Sequence, residues 1–403
     1  MDAHAQIGER LPASGPARNR GAECARPPPG LYFHVPFCLR KCNYCDFSSV
    51  ALRDMRDRVR LYLEAVAREL AHLPEDFVPA TIYLGGGTPT ALSETHLDEL
   101  LSLIHRRHLH RGATEWTCEA NPGTLTLAKA RQLRNAGVNR ISLGVQSFDD
   151  GLLDFLGRVH SAADADSAVG LLREAGFENF SLDLMYAIPG QSGAQFERDL
   201  VRALALAPDH LSLYALTLEE GTPLKERADA GEFAPVGDEA ALEHYELARR
   251  RLREAGYVHY EISNFARPGR ECRHNLLYWS GGEYLGVGPS AHSHWRGVRW
   301  GNLQGLEEYV AALSQAGKLR EFEEQLAPEA HARETLVFSL RQLAGVRRED
   351  FLARTGYDYE ELCGAALGGL IEEGLLEPTA DGEGLRLSER ALFISNTVFA
   401  ELI

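Results

Sequence analysis

The segment LYFHVPFCLRKCNYCDF, residues 31–47, sets how the rest of the chain is read. Its first five residues make an apolar strand pattern, and directly after it Cys38, Cys42 and Cys45 stand in a C-x-x-x-C-x-x-C run with no fourth cysteine nearby. Three thiolates on one short loop can hold a metal centre and still leave one coordination position open. An open position distinguishes a catalytic metal site from a closed structural one. Zinc is the alternative, with His34 or Asp46 as fourth ligand. Structural zinc sites usually come as two separated ligand pairs, however, and Cys118, Cys272 and Cys363 are isolated. Disulfides fit poorly: seven cysteines is an odd number, and the opening MDAHAQIGER has no apolar core of a secretory signal, so a reducing cytoplasm is expected.

Composition is that of a globular protein, 44% hydrophobic and 25% charged. No apolar run approaches the roughly 18 residues that cross a bilayer, so no transmembrane segment is expected, which leaves transient membrane association open. A net charge of -16 argues against broad attraction to nucleic acid or anionic lipid.

Four regions are expected. Residues 1–29, rich in Ala, Pro, Arg and Gly and running into Pro27-Pro28-Pro29-Gly30, read as a disordered lead-in. Residues 30–260 read as a core in which strands at 31–35, 80–84, 114–119, 139–145, 179–185 and 210–216 alternate with amphipathic helices at 59–72, 93–107, 126–136, 164–175 and 194–206. Six βα units fall short of the eight of a closed barrel. They predict an α/β fold, a partial TIM-like (β/α)6 barrel with a lateral gap. Residues 261–325 read as a connecting region and 326–403 as a small α-rich domain.

Polar residues gather at the carboxyl ends of these strands, where parallel-barrel chemistry sits. The first strand runs into the cysteine loop and the second into Gly85-Gly86-Gly87-Thr88-Pro89. The third ends at Glu119, the fourth at Gln146, and the fifth carries Asp183. Each has a plainer reading as a turn or a helix cap, and Arg158 as a surface salt bridge; five on one face of one sheet are hard to assign to packing alone. Further along, His274-Asn275-Leu276-Leu277-Tyr278-Trp279 forms an H-N-x-x-Y-W hexapeptide, either a packed aromatic group or a ligand set.

The cysteine run, the GGGTP turn and the EANP and GVQSF segments resemble the radical S-adenosylmethionine superfamily, in its coproporphyrinogen-oxidase-like branch, over about residues 30 to 400. The resemblance implies a 4Fe-4S cluster on Cys38, Cys42 and Cys45, with S-adenosylmethionine on the open iron and a one-electron cleavage of its carbon-sulfur bond within reach. It also implies that Tyr32, Tyr44, Gly86, Gly87, Thr88, Glu119, Gln146, Arg158 and Asp183 contact S-adenosylmethionine, and that the last domain is winged-helix-like. The stretch YEELCGAALGGLIEEG, the candidate recognition helix, has acids and no Lys or Arg, so DNA binding is not expected.

The hexapeptide matches the HemW-type haem chaperones. Phe47 stands where the oxygen-independent coproporphyrinogen oxidases carry a further cysteine, two positions after the third cluster cysteine. The implied function is binding of haem and its transfer to acceptor apo-haemoproteins, including respiratory ones, in the cytoplasm. The alternative is a coproporphyrinogen III dehydrogenase or another radical enzyme acting on a planar substrate; no catalytic residue is assigned. His274, Asn275, Tyr278 and Trp279 are the haem candidates, His274 the preferred axial ligand, with His259, Cys272, His292 and His294 competing. GVGPSAHSHW, 286–295, resembles another family segment whose glycines also suit turns.

Overall fold

GLYFHV, TIYLGG, EWTCEA, RISLGVQ, FSLDLMY and HLSLYA are apolar along most of their length, as strands covered on both faces must be. The computed structural model of the chain describes residues 28–403 apart from 56 and 316. The lead-in expected over 1–29 therefore lies, except for its last two residues, outside the described residues. The six segments form β1 (Gly30–Val35), β2 (Thr81–Gly86), β3 (Glu115–Ala120), β4 (Arg140–Gln146), β5 (Phe180–Tyr186) and β6 (His210–Ala215), within two residues of the positions expected. They pair side by side, parallel and in sequence order.

Helices Glu94–Arg106, Leu127–Ala136, Ala162–Glu174 and Gly193–Ala205 cover the sheet. Each opens on a Ser or Thr whose hydroxyl accepts a first-turn backbone N–H: Ser93, Thr126, Ser161 and Ser192. A longer helix, Asp238–Glu254, completes the sixth unit.

The sheet continues beyond these six strands. β7 (Val258–Glu261) and β8 (Asn264–Ala266) add antiparallel pairs beside β6. On the other side β9 (Tyr284–Val287) pairs parallel to β1, followed by antiparallel β10 (His292–Trp295), β11 (Val298–Asn302) and β12 (Arg320–Glu324). The order is β12-β11-β10-β9-β1-β2-β3-β4-β5-β6-β8-β7, and no pairing between β12 and β7 closes it. The segment 286–295, which suits turns, thus holds the end of a seventh parallel strand and a hairpin strand. Gly286 sits in β9 because a Cβ there would lie 2.2 Å from His292 O.

The C-terminal domain runs helix Pro328–Leu340, strand Val346–Arg347, helix Arg348–Thr355, helix Tyr359–Glu372 and a hairpin of Leu376–Pro378 and Gly384–Leu387, a winged-helix arrangement. It ends in a single 3-10 turn at Glu389–Ala391 and a short helix Ser395–Ala400, with Ile394 between them not helical. The helix Pro328–Leu340 spans the open side of the sheet: Glu334 bonds Arg299 on β11, and beyond its far end Leu343 N–H donates to Tyr260 O on β7 at 3.0 Å.

On the β9 side the extension is anchored by Glu69, buried in helix Arg58–Ala71. Its carboxylate accepts Tyr309 Oη at 2.6 Å, Asn302 Nδ2 at 2.6 Å and Gly288 N–H at 2.8 Å. Glu69→Ala leaves two buried donors, Tyr309 Oη and Gly288 N–H, without an acceptor and Asn302 Nδ2 with only Gly288 O, and is expected to cost about 3 kcal/mol. A fall in the urea midpoint with unchanged m-value checks this, and an unchanged midpoint contradicts it.

Candidate functional site

Beyond β1 the backbone pairing continues into the cysteine loop. Gly87 N–H donates to Val35 O at 2.8 Å, Thr88 N–H to Phe37 O at 2.7 Å, and Val50 N–H to Pro36 O at 2.7 Å, which closes the neck of the loop. A Cβ on Gly87 would lie 2.8 Å from both N and O of Phe37, so the glycine turn is what admits this contact. The loop's far side is pinned as well: Asn43 N–H donates to Leu156 O and Leu224 N–H to Asn43 O, each at 2.9 Å.

Cys38, Cys42 and Cys45 are all free and half-buried, and they line one cavity of about 360 Å³. Cys38 Sγ lies 3.7 Å from Thr88 Oγ1, and Cys42 Sγ accepts from Arg158 Nη1 at 3.3 Å. Burial raises the pKa of the Cys38 thiol, and that of Cys45 to about 11. Both are thus protonated at neutral pH until a metal centre takes their protons. Among the described residues no three His, Cys, Asp or Glu side chains converge on a point that suits a single metal ion. A cubane cluster asks for less convergence, because each thiolate binds a different iron corner.

The strand-end residues share this cavity: Gly86, Gly87, Thr88, Glu119, Gln146, Arg158 and Asp183 line it with Tyr44 and the cysteines. Burial pushes Glu119 up to about 7, with Asp183 raising it further and a hydrogen bond from Tyr83, 2.9 Å, opposing. Burial also raises Asp183, whose carboxylate accepts from Ser142 and Ser181. Gln146 has φ 69°, a left-handed conformation uncommon outside glycine, where β4 ends. Arg158 is half-buried on this cavity and makes no surface salt bridge among the described residues. Besides Cys42 it donates to Gly144 O at 2.6 Å and to Asn121 Oδ1, and its Nε is buried without an acceptor. The guanidinium therefore ties the cysteine loop to two strand ends.

Asn121, Tyr83, Arg140, Ser142, Ser212 and Tyr214 also line the cavity and were not picked out by sequence reasoning. Only Asn121 had a signal, as the third residue of EANP. Tyr32 is elsewhere, its hydroxyl 3.3 Å from His34 Nδ1 and its ring on a second chamber.

The hexapeptide helix, Arg273–Trp279, divides between environments. His274 is buried; its Nδ1 lies 2.8 Å from Thr81 Oγ1 and its Nε2 2.9 Å from Tyr278 Oη, so both ring nitrogens are engaged within the protein. Burial, helped by Arg140, lowers its pKa to about 3, and the ring is neutral. Asn275 reaches the cysteine cavity. Tyr278 and Trp279 line the second chamber, about 500 Å³, with Tyr32, His292, His294, His331 and Phe338. Phe47 lines both cavities. Of the other competitors, His259 stacks on Phe265 at 4.0 Å and Cys272 is buried against Glu115, and neither lines a cavity with the rest.

A profile of the radical SAM superfamily matches residues 32–203, and one of the HemN C-terminal domain matches 326–394. A relative from Bacillus subtilis (strain 168) named "Heme chaperone HemW" is 35% identical over 376 residues, covering 92% of this chain and 98% of the relative. One of the same name from Escherichia coli (strain K12) is 36% identical over 360 residues, covering 88% and 93%. The solved structure of coproporphyrinogen III oxidase (HemN) from Escherichia coli superposes with a TM-score of 0.81 over 94% of this chain and 91% of that one, at 23% identity, a likeness of fold.

The folded-state pKa of Glu119, about 7 against the usual 4.5, means that its contribution to stability is present in full below about 4.5 and is lost as pH rises through 7. Glu119→Gln removes that loss. In the ligand-free chain the Tm difference, variant minus wild type, is expected to become more positive from acid to alkaline pH; a difference flat with pH contradicts the assignment.

Proposed function

The chain belongs to the radical SAM superfamily and, within it, to the HemW family, and on that premise we propose that it is a haem chaperone of the cytoplasm. In this reading it holds a 4Fe-4S cluster on Cys38, Cys42 and Cys45, S-adenosylmethionine beside it, and haem, and it passes haem to acceptor haemoproteins, respiratory ones among them. No helix among the described residues is long and apolar enough to cross a membrane, so any membrane contact in this reading is peripheral.

The donor set fits the cluster and its cofactor. Three thiols share one cavity with no further cysteine on its wall. When bound, the cluster supplies one-electron chemistry at a sulfonium. The protein's part is positional. Gly86, Gly87 and Thr88 offer backbone groups to the methionine end; the guanidinium of Arg158 suits a carboxylate; Glu119 and Asp183 suit hydroxyls; Gln146 and Tyr44 complete the wall. Tyr83 and the serines hold the two acids in place, so their orientation precedes ligand binding.

One observation carries the haem reading. A second chamber rich in aromatic rings and imidazoles adjoins the cysteine cavity, and Phe47, an exposed ring at the position where the oxidases have a cysteine, lines both. Aromatic rings pack on a porphyrin plane and imidazole ligates its iron, so the residue types match a macrocycle.

Anaerobic reconstitution tests both halves. Wild type is expected to take up iron and sulfide and then to bind haem saturably, while Cys42→Ala loses most of the iron and sulfide. Incubation with coproporphyrinogen III, S-adenosylmethionine and a reductant is expected to yield no protoporphyrinogen. Catalytic formation of that product would reverse the assignment in favour of a dehydrogenase.

A further inference from the structure

Where haem iron would be held is a separate question, and it builds on the haem reading above. His274 offers no free ring nitrogen, since Thr81 and Tyr278 take both. The histidines of the second chamber are differently placed. In β10 the period of two puts His292 and His294 on one face, while Ser293 points the other way and accepts Gly286 N–H at 2.9 Å. His292 is exposed at the rim, against Phe322 at 5.3 Å. His294 is half-buried within the chamber.

Inside the chamber the His294 ring stands 6.4 Å from that of Tyr284 and 5.7 Å from that of His331, centroid to centroid, so two imidazoles carried by different elements meet there. A neutral imidazole ligates haem iron through a ring nitrogen, and a half-buried ring on a strand is held more firmly than one at an exposed rim. The rest of the chamber suits a flat metallo-macrocycle with acidic side arms. Phe47, Tyr278, Trp279 and Phe338 supply aromatic wall. Arg299, paired with Glu334 and Glu324, places a guanidinium on the wall for a carboxylate to share. The volume, about 500 Å³, lies in the ~300–1,000 Å³ range of sites for compact organic ligands.

We propose that His294 is an axial ligand to haem iron, in a chamber walled on one side by the β9–β11 hairpins and on the other by helix Pro328–Leu340. His274 is then a positioning residue: it holds Tyr278 at the chamber wall through their 2.9 Å hydrogen bond. His331, 5.7 Å from His294 between ring centroids, comes from the C-terminal domain, so the macrocycle would rest against both domains.

Haemin titration of the reconstituted full chain, followed by Soret absorption and electron paramagnetic resonance, tests this with wild type, His294→Ala, His294→Gln and His274→Ala. Both His294 variants are expected to shift the Soret band, change the iron's spin signature and weaken binding at least roughly tenfold, with added imidazole restoring the wild-type spectrum of His294→Ala. His274→Ala is expected to lower Tm and keep the Soret position. Wild type binding haem while both His294 variants, folded by circular dichroism, keep its spectrum and affinity overturns the His294 assignment alone. Wild type that shows no saturable haem binding overturns the haem reading itself, and this assignment with it.

Discussion

The site depends on a contact between two backbones. The β1–β2 ladder does not stop where the strands end; it runs on through Gly87 and Thr88 to Val35 and Phe37, and this holds the cysteine loop over the carboxyl end of the sheet. Only a residue without a Cβ can stand at Gly87. That constraint explains why a glycine-rich turn follows the second strand, whatever a ligand also asks of its N–H groups. Arg158 adds the side-chain equivalent, joining Cys42 to the ends of the third and fourth strands through Asn121 and Gly144.

Much of this was legible in sequence because the signals were local. Buried parallel strands are apolar on both faces, and Ser or Thr precedes four of the covering helices, so the six parallel strands could be located to within two residues. The β9–β12 extension was not, since its strands are short and interleaved with Gly, His and charged residues. The strand-end residues Glu119, Gln146 and Asp183 were found because parallel topology brings such positions together. Tyr83, Arg140 and Ser212 escaped because they lie inside strands, where a polar residue has no local signature of a site. The hexapeptide was the hardest to interpret. Within two helical turns it presents one residue to the core, one to the cysteine cavity and two to the chamber; Tyr278 takes one ring nitrogen of His274 locally, but the partner of the other, Thr81, is more than 190 residues away.

The two chambers differ in electrostatic character. The cysteine cavity holds both signs, with Glu119 and Asp183, whose protonation burial favours, beside Arg140 and Arg158. The second is chiefly aromatic and imidazole, with one ion pair, Arg299 with Glu334, on its wall, and the exposed ring of Phe47 lines both.

The helix Pro328–Leu340 has a further meaning for a chain made from its N-terminus onward. It is synthesised after all twelve strands, yet it reaches both sides of the open sheet, and residues just beyond it pair with β7. Until it emerges from the ribosome, β7 is a bare edge. β12, by contrast, carries Glu321, Glu323 and Glu324, charges that discourage strand addition from birth. The nascent protein is therefore most open to edge-to-edge association during the interval between completing its sheet and completing its last domain.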